Sequence, residues 1–283
     1  MSRKYVVLLT GIGGNTAQGV ARPLMKFRDE FTIVGTDCDR YNVLFGRRYA
    51  KKVYLVPRAS SPDYISTLTK IVAREGVDVV IPSPDPEVLA ITKHRHEIHA
   101  STLLPSLRAV EIAQDKWLTY RQLEGKVGQP KTYLARSRED VEEAFRELGS
   151  PIWVRRKRGA GGSRSFLAHT PQQADFWISY WRGYDEFLLS EYLNSRNLSW
   201  IGLYRDGELI ASGGHLRLKY FMKHTSPTGV TGNINVGVTT QDDKVNSIAE
   251  RAVEAIDSRV SRVYTADLEA KFTNGVVLAI LLH

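Results

Sequence analysis

The residues best suited to chemistry gather in one stretch, Ile152-Trp-Val-Arg-Arg-Lys-Arg-Gly-Ala-Gly-Gly-Ser-Arg-Ser-Phe166. An apolar, strand-like run, Ile152 to Val154, delivers four cations: Arg155, Arg156, Lys157 and Arg158. A glycine-rich turn follows at once, with Gly159, Gly161, Gly162 and Ser163. Glycine lets successive backbone N–H groups point into one concavity, where they hold anionic oxygens. Arginine adds a planar donor fork suited to phosphate. The spacing predicts a flexible flap over a polyphosphate. It is not a Walker A loop, because no Gly-Lys-Ser/Thr follows at the required distance. Taken alone, the same residues also suit a basic, solvated hairpin turn.

Other groups carry weaker signals. His215, Arg217, Lys219, Lys223 and His224 form a basic cluster ahead of Ser226–Gly232. Arg217 and Lys219 are two apart, so on a regular strand they share a face and can clamp an anion. Asp85 and Glu87 follow an apolar strand, where open α/β sheets bind ligands, and suit an amino group. The alternative is a pair of helix-start acids facing the dipole. His94, His96 and His99 lack the His-Glu-x-x-His spacing of zinc enzymes and read as a solvated helix face. The single cysteine, Cys38, excludes an internal disulfide and a cysteine-rich zinc site. It reads as a small, buried strand-end residue. No Ser-His-Asp or Cys-His set is evident.

Composition bounds the protein class. A length of 283 residues suggests about two domains. An apolar share of 42% with 25% charged residues is ordinary for a soluble globular chain. The net charge of +8 suits an anionic ligand. It also raises nucleic acid as a partner, but the basic residues are scattered and no helix carries a basic stripe. The opening apolar run, Tyr5 to Leu9, is too short for a signal peptide. No segment reaches the roughly 20 apolar residues of a membrane helix. The expectation is a cytoplasmic protein with neither nucleic-acid nor membrane partners.

The first third alternates strands and helices. Tyr5–Leu9 is a buried strand, Gly11, Gly13 and Gly14 make a turn, and Thr16–Phe27 is a helix. Phe31–Gly35 is a strand ending in Thr36-Asp37. Ser61–Glu75 is a helix, and Val77–Ile81 is a strand. This βαβ series implies a doubly wound parallel sheet. Gly11 to Gly19 resembles a dinucleotide fingerprint, with Asp37 where a ribose-binding carboxylate sits, although Thr16 takes the place of the third glycine. NAD binding therefore stays a lesser alternative. The rest reads as α+β with antiparallel sheets. Ile112–Glu124 and Ser137–Leu148 are helices, the second with a capping-box variant from Ser137 and Asp140. Phe187–Leu193 is a strand, and Leu198–Tyr204 pairs with Glu208–Ser212 through an Asp-Gly hairpin. Val245–Ile256 is a helix, and Arg262–Glu269 and Gly275–Leu282 are strands. The expected domains are 1–112 and 113–283, the latter split into 113–187 and 188–283.

The order of these pieces resembles the ATP-grasp superfamily, specifically enzymes similar to the synthetase component of carbamoyl-phosphate synthase. The resemblance covers essentially the whole chain. It implies an α/β pre-ATP-grasp domain followed by an α+β ATP-grasp domain. In Gln114-Asp115-Lys116, Lys116 matches the first cation that reaches ATP phosphate. Arg155, closing Gly149-Ser-Pro-Ile-Trp-Val-Arg155, matches the second, with Lys157 nearby. Gly159, Gly161, Gly162 and Ser163 match the mobile phosphate loop. Leu189-Ser-Glu-Tyr-Leu193 matches the hinge that takes the adenine, through Glu191, Tyr192 and Leu193. Asp267 in Tyr264-Thr-Ala-Asp-Leu268 matches the first magnesium-ligand strand, and Glu269 is a possible substitute ligand. Arg217 and Lys219 would face the substrate and the transferred phosphate. The implied activity is ATP-dependent ligation, with Mg2+. A small-molecule carboxylate is activated as an acyl phosphate and attacked by an amine. A homodimer is compatible with this reading.

Two departures qualify it. Asn197 stands where the family usually has a ribose-binding glutamate, though asparagine still hydrogen-bonds a hydroxyl. After Asn274-Gly275 the family has a strand ending in Glu-Ile-Asn, which supplies the main magnesium ligands. Here the chain reads Val276-Val-Leu-Ala-Ile-Leu-Leu-His283, with no carboxylate or amide. Truncation, alteration of this end, or loss of full metal binding would each account for that. A degenerate nucleotide-binding protein without turnover is therefore the second reading.

Overall fold

The computed structural model describes residues 3–193, 196–230, 234–257, 263–270 and 277–282. The chain divides into two compact units, Met1–Val110 and Glu111–His283. The division falls two residues before the expected one, inside helix α5 (Leu107–Ala113).

The first unit runs β1 (Tyr5–Thr10), α1 (Asn15–Leu24), β2 (Phe31–Asp37), α2 (Arg40–Gly46), β3 (Lys52–Leu55), α3 (Tyr64–Glu75), β4 (Val79–Ile81), α4 (Asp85–Lys93) and β5 (Ser101–Thr102). Its five strands form one parallel sheet in the order β3-β2-β1-β4-β5. Side chains alternate across a strand, so β1 feeds two cores. Leu8 packs with Val34, Val80 and the apolar stripe of α3, including Leu68 and Val72. Val7 and Leu9 pack with Ile33 and with Ala17 and Ala21 of α1. Burial on both faces is why β1 reads as an unbroken apolar run.

The second unit contains α6 (Lys116–Leu123), β6 (Thr132–Ala135), α7 (Arg138–Leu148), β7 (Ile152–Arg156), β8 (Phe166–Ala168), α8 (Pro171–Tyr180), β9 (Phe187–Glu191), β10 (Arg196–Arg205), β11 (Glu208–Tyr220), β12 (Ile234–Thr240), α9 (Asp243–Ile256), β13 (Val263–Ala270) and β14 (Val277–Leu282). They build two antiparallel sheets, β6-β9-β7-β8 and β12-β11-β10-β13-β14. On the first sheet, Ile152, Val154, Phe187 and Leu189 pack under Val141 and Ala144 of α7 and Ala174 and Ile178 of α8. On the second, buried Trp200 donates its indole N–H to Asn246 of α9 at 2.8 Å. Each sheet thus has one helix-covered face. Among the described residues, no helix is long and apolar enough to cross a membrane.

Several local readings hold and several change. Ser137 and Asp140 form a capping box at the start of α7. Asp206 and Gly207 make the β10–β11 turn with φ of 54° and 88°, as a two-residue hairpin of this type requires. The expected helix Ile112–Glu124 is broken, because Asp115 caps a new helix by accepting from the N–H groups of Trp117 and Leu118. Cys38 is exposed rather than buried, since it lies just past the end of β2.

Candidate functional site

The glycine turn between β7 and β8 is left-handed at Gly159, Gly161 and Gly162, with φ of 112°, 72° and 66°. A Cβ at Gly159 would meet nothing within 4 Å. Gly159 thus answers a backbone demand rather than a packing one. The start of the loop is held by charged groups. Lys116 donates its N–H to the Lys157 carbonyl at 2.8 Å and its ammonium to the Gly159 carbonyl at 2.6 Å. Asp115 accepts the Arg158 Nε–H at 2.9 Å through the oxygen that does not cap α6. The structure therefore brings Lys116 to the loop matched in the sequence. It adds Asp115 and Arg158 as the pair that fixes the approach. An aspartate just ahead of a helix start is the signal that could have found Asp115.

Lys157 goes elsewhere. Its ammonium donates to the Asp185 carbonyl at 2.7 Å and pairs with Glu186 at 3.1 Å. Arg156 binds the same Glu186 at 3.2 Å. Arg155 lies half-buried opposite Leu188 on the sheet, on the same side as Trp153, which is opposite Ser190. Buried Ser190 in turn accepts from the Thr132 hydroxyl at 3.0 Å. Past the end of β9, Tyr192 stacks on Trp153 with 6.2 Å between centroids, and Leu193 is buried. Glu191 ends the strand, half-buried, opposite Ile152. This face, away from α7 and α8, combines a flat aromatic surface, backbone past a strand end and a cation.

The second sheet has a comparable uncovered face. The register sets Ser199 opposite both Asp267 and His215, and Asn197 opposite Glu269. Residues opposite one another in an antiparallel pair share a face. These positions therefore form polar rows on the side away from Trp200. Ser199 accepts from Arg217 through Nε at 2.7 Å and also through Nη2. Asn197 donates to the Tyr220 hydroxyl at 2.7 Å. Arg217 and Lys219 do not follow the simple alternation expected of them. The register with β12 shifts between them, and a bulge re-aims the strand. Lys219 is exposed while Arg217 is half-buried. On the other edge of β13, Leu281 stands opposite Asp267. The register therefore places Asp267, Ser199 and Leu281 at one level across β13, β10 and β14. Among the described residues, no group of three or more His, Cys, Asp or Glu gathers to hold a metal. The side chains of Asp267 and Glu269 lie outside those described.

In the first unit, the Gly11–Gly14 turn is closed on itself. The N–H groups of Ile12, Gly13 and Gly14 go to the Thr36 carbonyl, the Asp37 carboxylate and the Gly11 carbonyl at 3.0, 3.0 and 2.8 Å. Asp37 also accepts from the Asp39 N–H at 3.0 Å and from the Asn42 amide at 3.3 Å. The donors that would hold a dinucleotide pyrophosphate, and the acid that would take its ribose, are spent within the chain. Glu87 is buried at 4% exposure, and its Oε2 has no hydrogen-bond partner. Burial, and then the charge of Asp37, push its pKa up, while the Thr10 and Tyr64 hydroxyls pull it part-way back. Partial desolvation by its neighbours, and then the charges of Asp37 and Glu87, push the thiol of exposed Cys38 up, which disfavours a reactive thiolate. His94, His96 and His99 are exposed, with His94 bonded to Glu97 at 2.7 Å.

Comparison with known proteins agrees with this architecture. Residues 7–104 match the model of the PylC-like N-terminal domain. No curated protein sequence matches the chain. Solved structures match over nearly all of it. The biotin carboxylase domain of 2-oxoglutarate carboxylase from Hydrogenobacter thermophilus, a dimer bound to MgADP, ADP and bicarbonate, superimposes with a TM-score of 0.73 at 14% identity. That match covers 100% of this chain and 64% of the other, so this chain spans just under two thirds of that domain's length. N5-carboxyaminoimidazole synthetase from Staphylococcus aureus gives 0.70 at 14% identity, over 99% of this chain and 71% of that one. The Aspergillus clavatus synthase, bound to ADP and 5-aminoimidazole ribonucleotide, gives 0.70 at 13% identity, over 98% and 69%. At such identities the likeness establishes the fold. The chain therefore has the ATP-grasp fold shared by these structures, and its residues 7–104 are similar to the PylC-like N-terminal domain.

Proposed function

We propose that this protein is an ATP-dependent ligase joining a small carboxylate to an amine. The observation that carries the reading is the open glycine loop Gly159–Ser163, whose start is framed by Lys116 and Arg158. Polyphosphate is the ligand that such backbone donors and cations recognise. The fold, shared with a MgADP-bound carboxylase domain, supports the same ligand. Lys116 and Arg155 act as charge clamps, while Glu191, Tyr192 and Leu193 take the adenine. Asn197 bonds the ribose, and Arg217 with Lys219 faces the group being transferred. Asp267 and Glu269 would hold magnesium, which neutralises phosphate oxygens when bound.

The chemistry then balances without a protein nucleophile. A carboxylate oxygen attacks the γ-phosphorus, the bond to the β–γ bridging oxygen breaks, and ADP leaves. The amine nitrogen attacks the acyl carbon and gives up a proton to solvent, and inorganic phosphate leaves. A second reading, nucleotide binding without turnover, is favoured by Leu281 standing opposite Asp267.

A thermal-shift titration with ATP, ADP and NAD, with and without magnesium, tests these readings. ATP at 100 times its dissociation constant should stabilise the fold by about 2.7 kcal/mol. A magnesium-enhanced ATP shift, followed by carboxylate- and amine-dependent phosphate release, supports the ligase. An ATP shift indifferent to magnesium, with no phosphate release, supports the second reading. A shift with NAD alone overturns both.

A further inference from the structure

We propose that Arg164, Trp177 and Trp181 form a latch that fixes the end of the glycine loop, so that the loop closes by pivoting there while its start lets go. The effect on ATP rests on the nucleotide reading above, whereas the latch itself does not.

Arg164 follows the glycines yet is itself left-handed, with φ of 59°. A non-glycine residue in this region is strained, so the surroundings must hold it there. Two contacts do so. The Arg164 carbonyl accepts the Trp177 indole N–H at 2.9 Å. The Arg164 guanidinium lies 4.2 Å from the centroid of the Trp181 ring, a cation–π geometry.

The two tryptophans are four residues apart, at the end of α8 and just past it, so they meet on one face. They contact edge to face, with centroids 6.0 Å apart. The Trp181 indole N–H is buried without an acceptor. What Trp181 offers Arg164 is therefore its ring face. Trp177 also stacks on Phe166 at 5.1 Å, which carries the contact into the first residue of β8.

The two ends of the loop are thus held by different chemistry. At its start, Lys116 and Arg158 bond to a carbonyl and a carboxylate. An arriving polyphosphate competes for exactly such cations. At its end, aromatic faces and an indole donor hold Arg164, and an anion competes poorly for those. Arg164 is accordingly a positioning residue rather than a phosphate ligand.

Four variants test this: Arg164→Gly, Arg164→Lys, Trp181→Leu and Trp177→Phe. Glycine keeps the left-handed backbone and removes the cation. Lysine keeps a cation for the ring. Limited trypsin digestion of the unliganded protein, scored at Lys157 and Arg158, reads loop opening directly. Arg164→Gly, Trp181→Leu and Trp177→Phe should each raise cleavage about tenfold, and Arg164→Lys should restore much of the protection. The dissociation constant for ATP should rise by about the same factor in Arg164→Gly and Trp181→Leu. Unchanged cleavage in Arg164→Gly, which alters one half-buried loop residue and leaves the sequence of α8 intact, overturns the latch even if the tryptophan variants fail to fold. Weaker ATP binding in Arg164→Gly with none in a folded Trp181→Leu makes Arg164 a phosphate ligand and also overturns it. A wild-type protein that binds no ATP defeats the nucleotide reading, and the digestion still decides the latch.

Discussion

The two glycine turns of this protein look alike in sequence and serve opposite physical ends. In the first unit, a Cβ on Gly13 would sit 2.3 Å from Cβ of Asn42, and one on Gly11 would sit 2.6 Å from Pro84. That turn is glycine because its neighbours leave no room, and its N–H groups are already committed to the chain. In the second unit, Gly159 has open space around it and needs glycine only for its φ of 112°. A glycine count therefore does not identify a phosphate loop, and the commitment of the Ile12, Gly13 and Gly14 donors argues against one in the first unit.

Gly13→Ala should break the closed turn outright. The new methyl meets Asn42 side-chain and backbone atoms that cannot both retreat. A loss of about 3 kcal/mol in urea unfolding is expected, with partial recovery when Asn42→Gly is added. If alanine at 13 is tolerated, the turn is looser than described here.

Glu87, beside the same turn, should show the cost of crowding as a pH dependence. Its raised pKa means that the native state keeps a proton the unfolded chain has already released. Stability is therefore present below the ordinary glutamate pKa and is lost as pH rises through the native value. Glu87→Gln should flatten that slope and raise stability near neutral pH. Parallel slopes in the two proteins, measured by denaturation between pH 4 and 8, would show that Glu87 ionises freely.

Gly159→Ala should have the smallest effect on stability, about 1 kcal/mol or less, because only backbone strain opposes it. If the loop grips phosphate, its cost should appear as weaker ATP binding in calorimetry while the melting temperature barely moves. The contrast with Gly13→Ala separates a glycine kept for room from one kept for conformation.

Much of the frame was legible from local patterns. The apolar run of β1, the capping box at Ser137 and the Asp-Gly hairpin are short-range signals, and each forms as read. Lys116 also bonds to the glycine loop, through the Gly159 carbonyl. What escaped depended on distant partners. The break at Asp115 is hidden because apolar residues continue through Ile112 and Leu123. Lys157 sits among cations that suit phosphate, yet Glu186 and the Asp185 carbonyl, just ahead of β9, hold it. β12 shows almost no buried residues and so lacks the alternation that reveals a strand. The bulge beyond Arg217 depends on how two strands pair, which no single strand records. Nothing in the local sequence links Trp177 and Trp181 to Arg164; the fold brings them together.

The seam between β10 and β13 has a consequence for how the molecule comes together. β10 pairs with β11 across a two-residue turn but with β13 only after the whole of β12 and α9 has intervened. Closing the longer loop costs more chain entropy before any pairing repays it. The row that sets Asp267 beside Ser199 is therefore the part of the sheet furthest from being guaranteed by its local sequence. It depends on the docking of α9 and the return of the chain, whereas the neighbouring hairpin carries its own instructions.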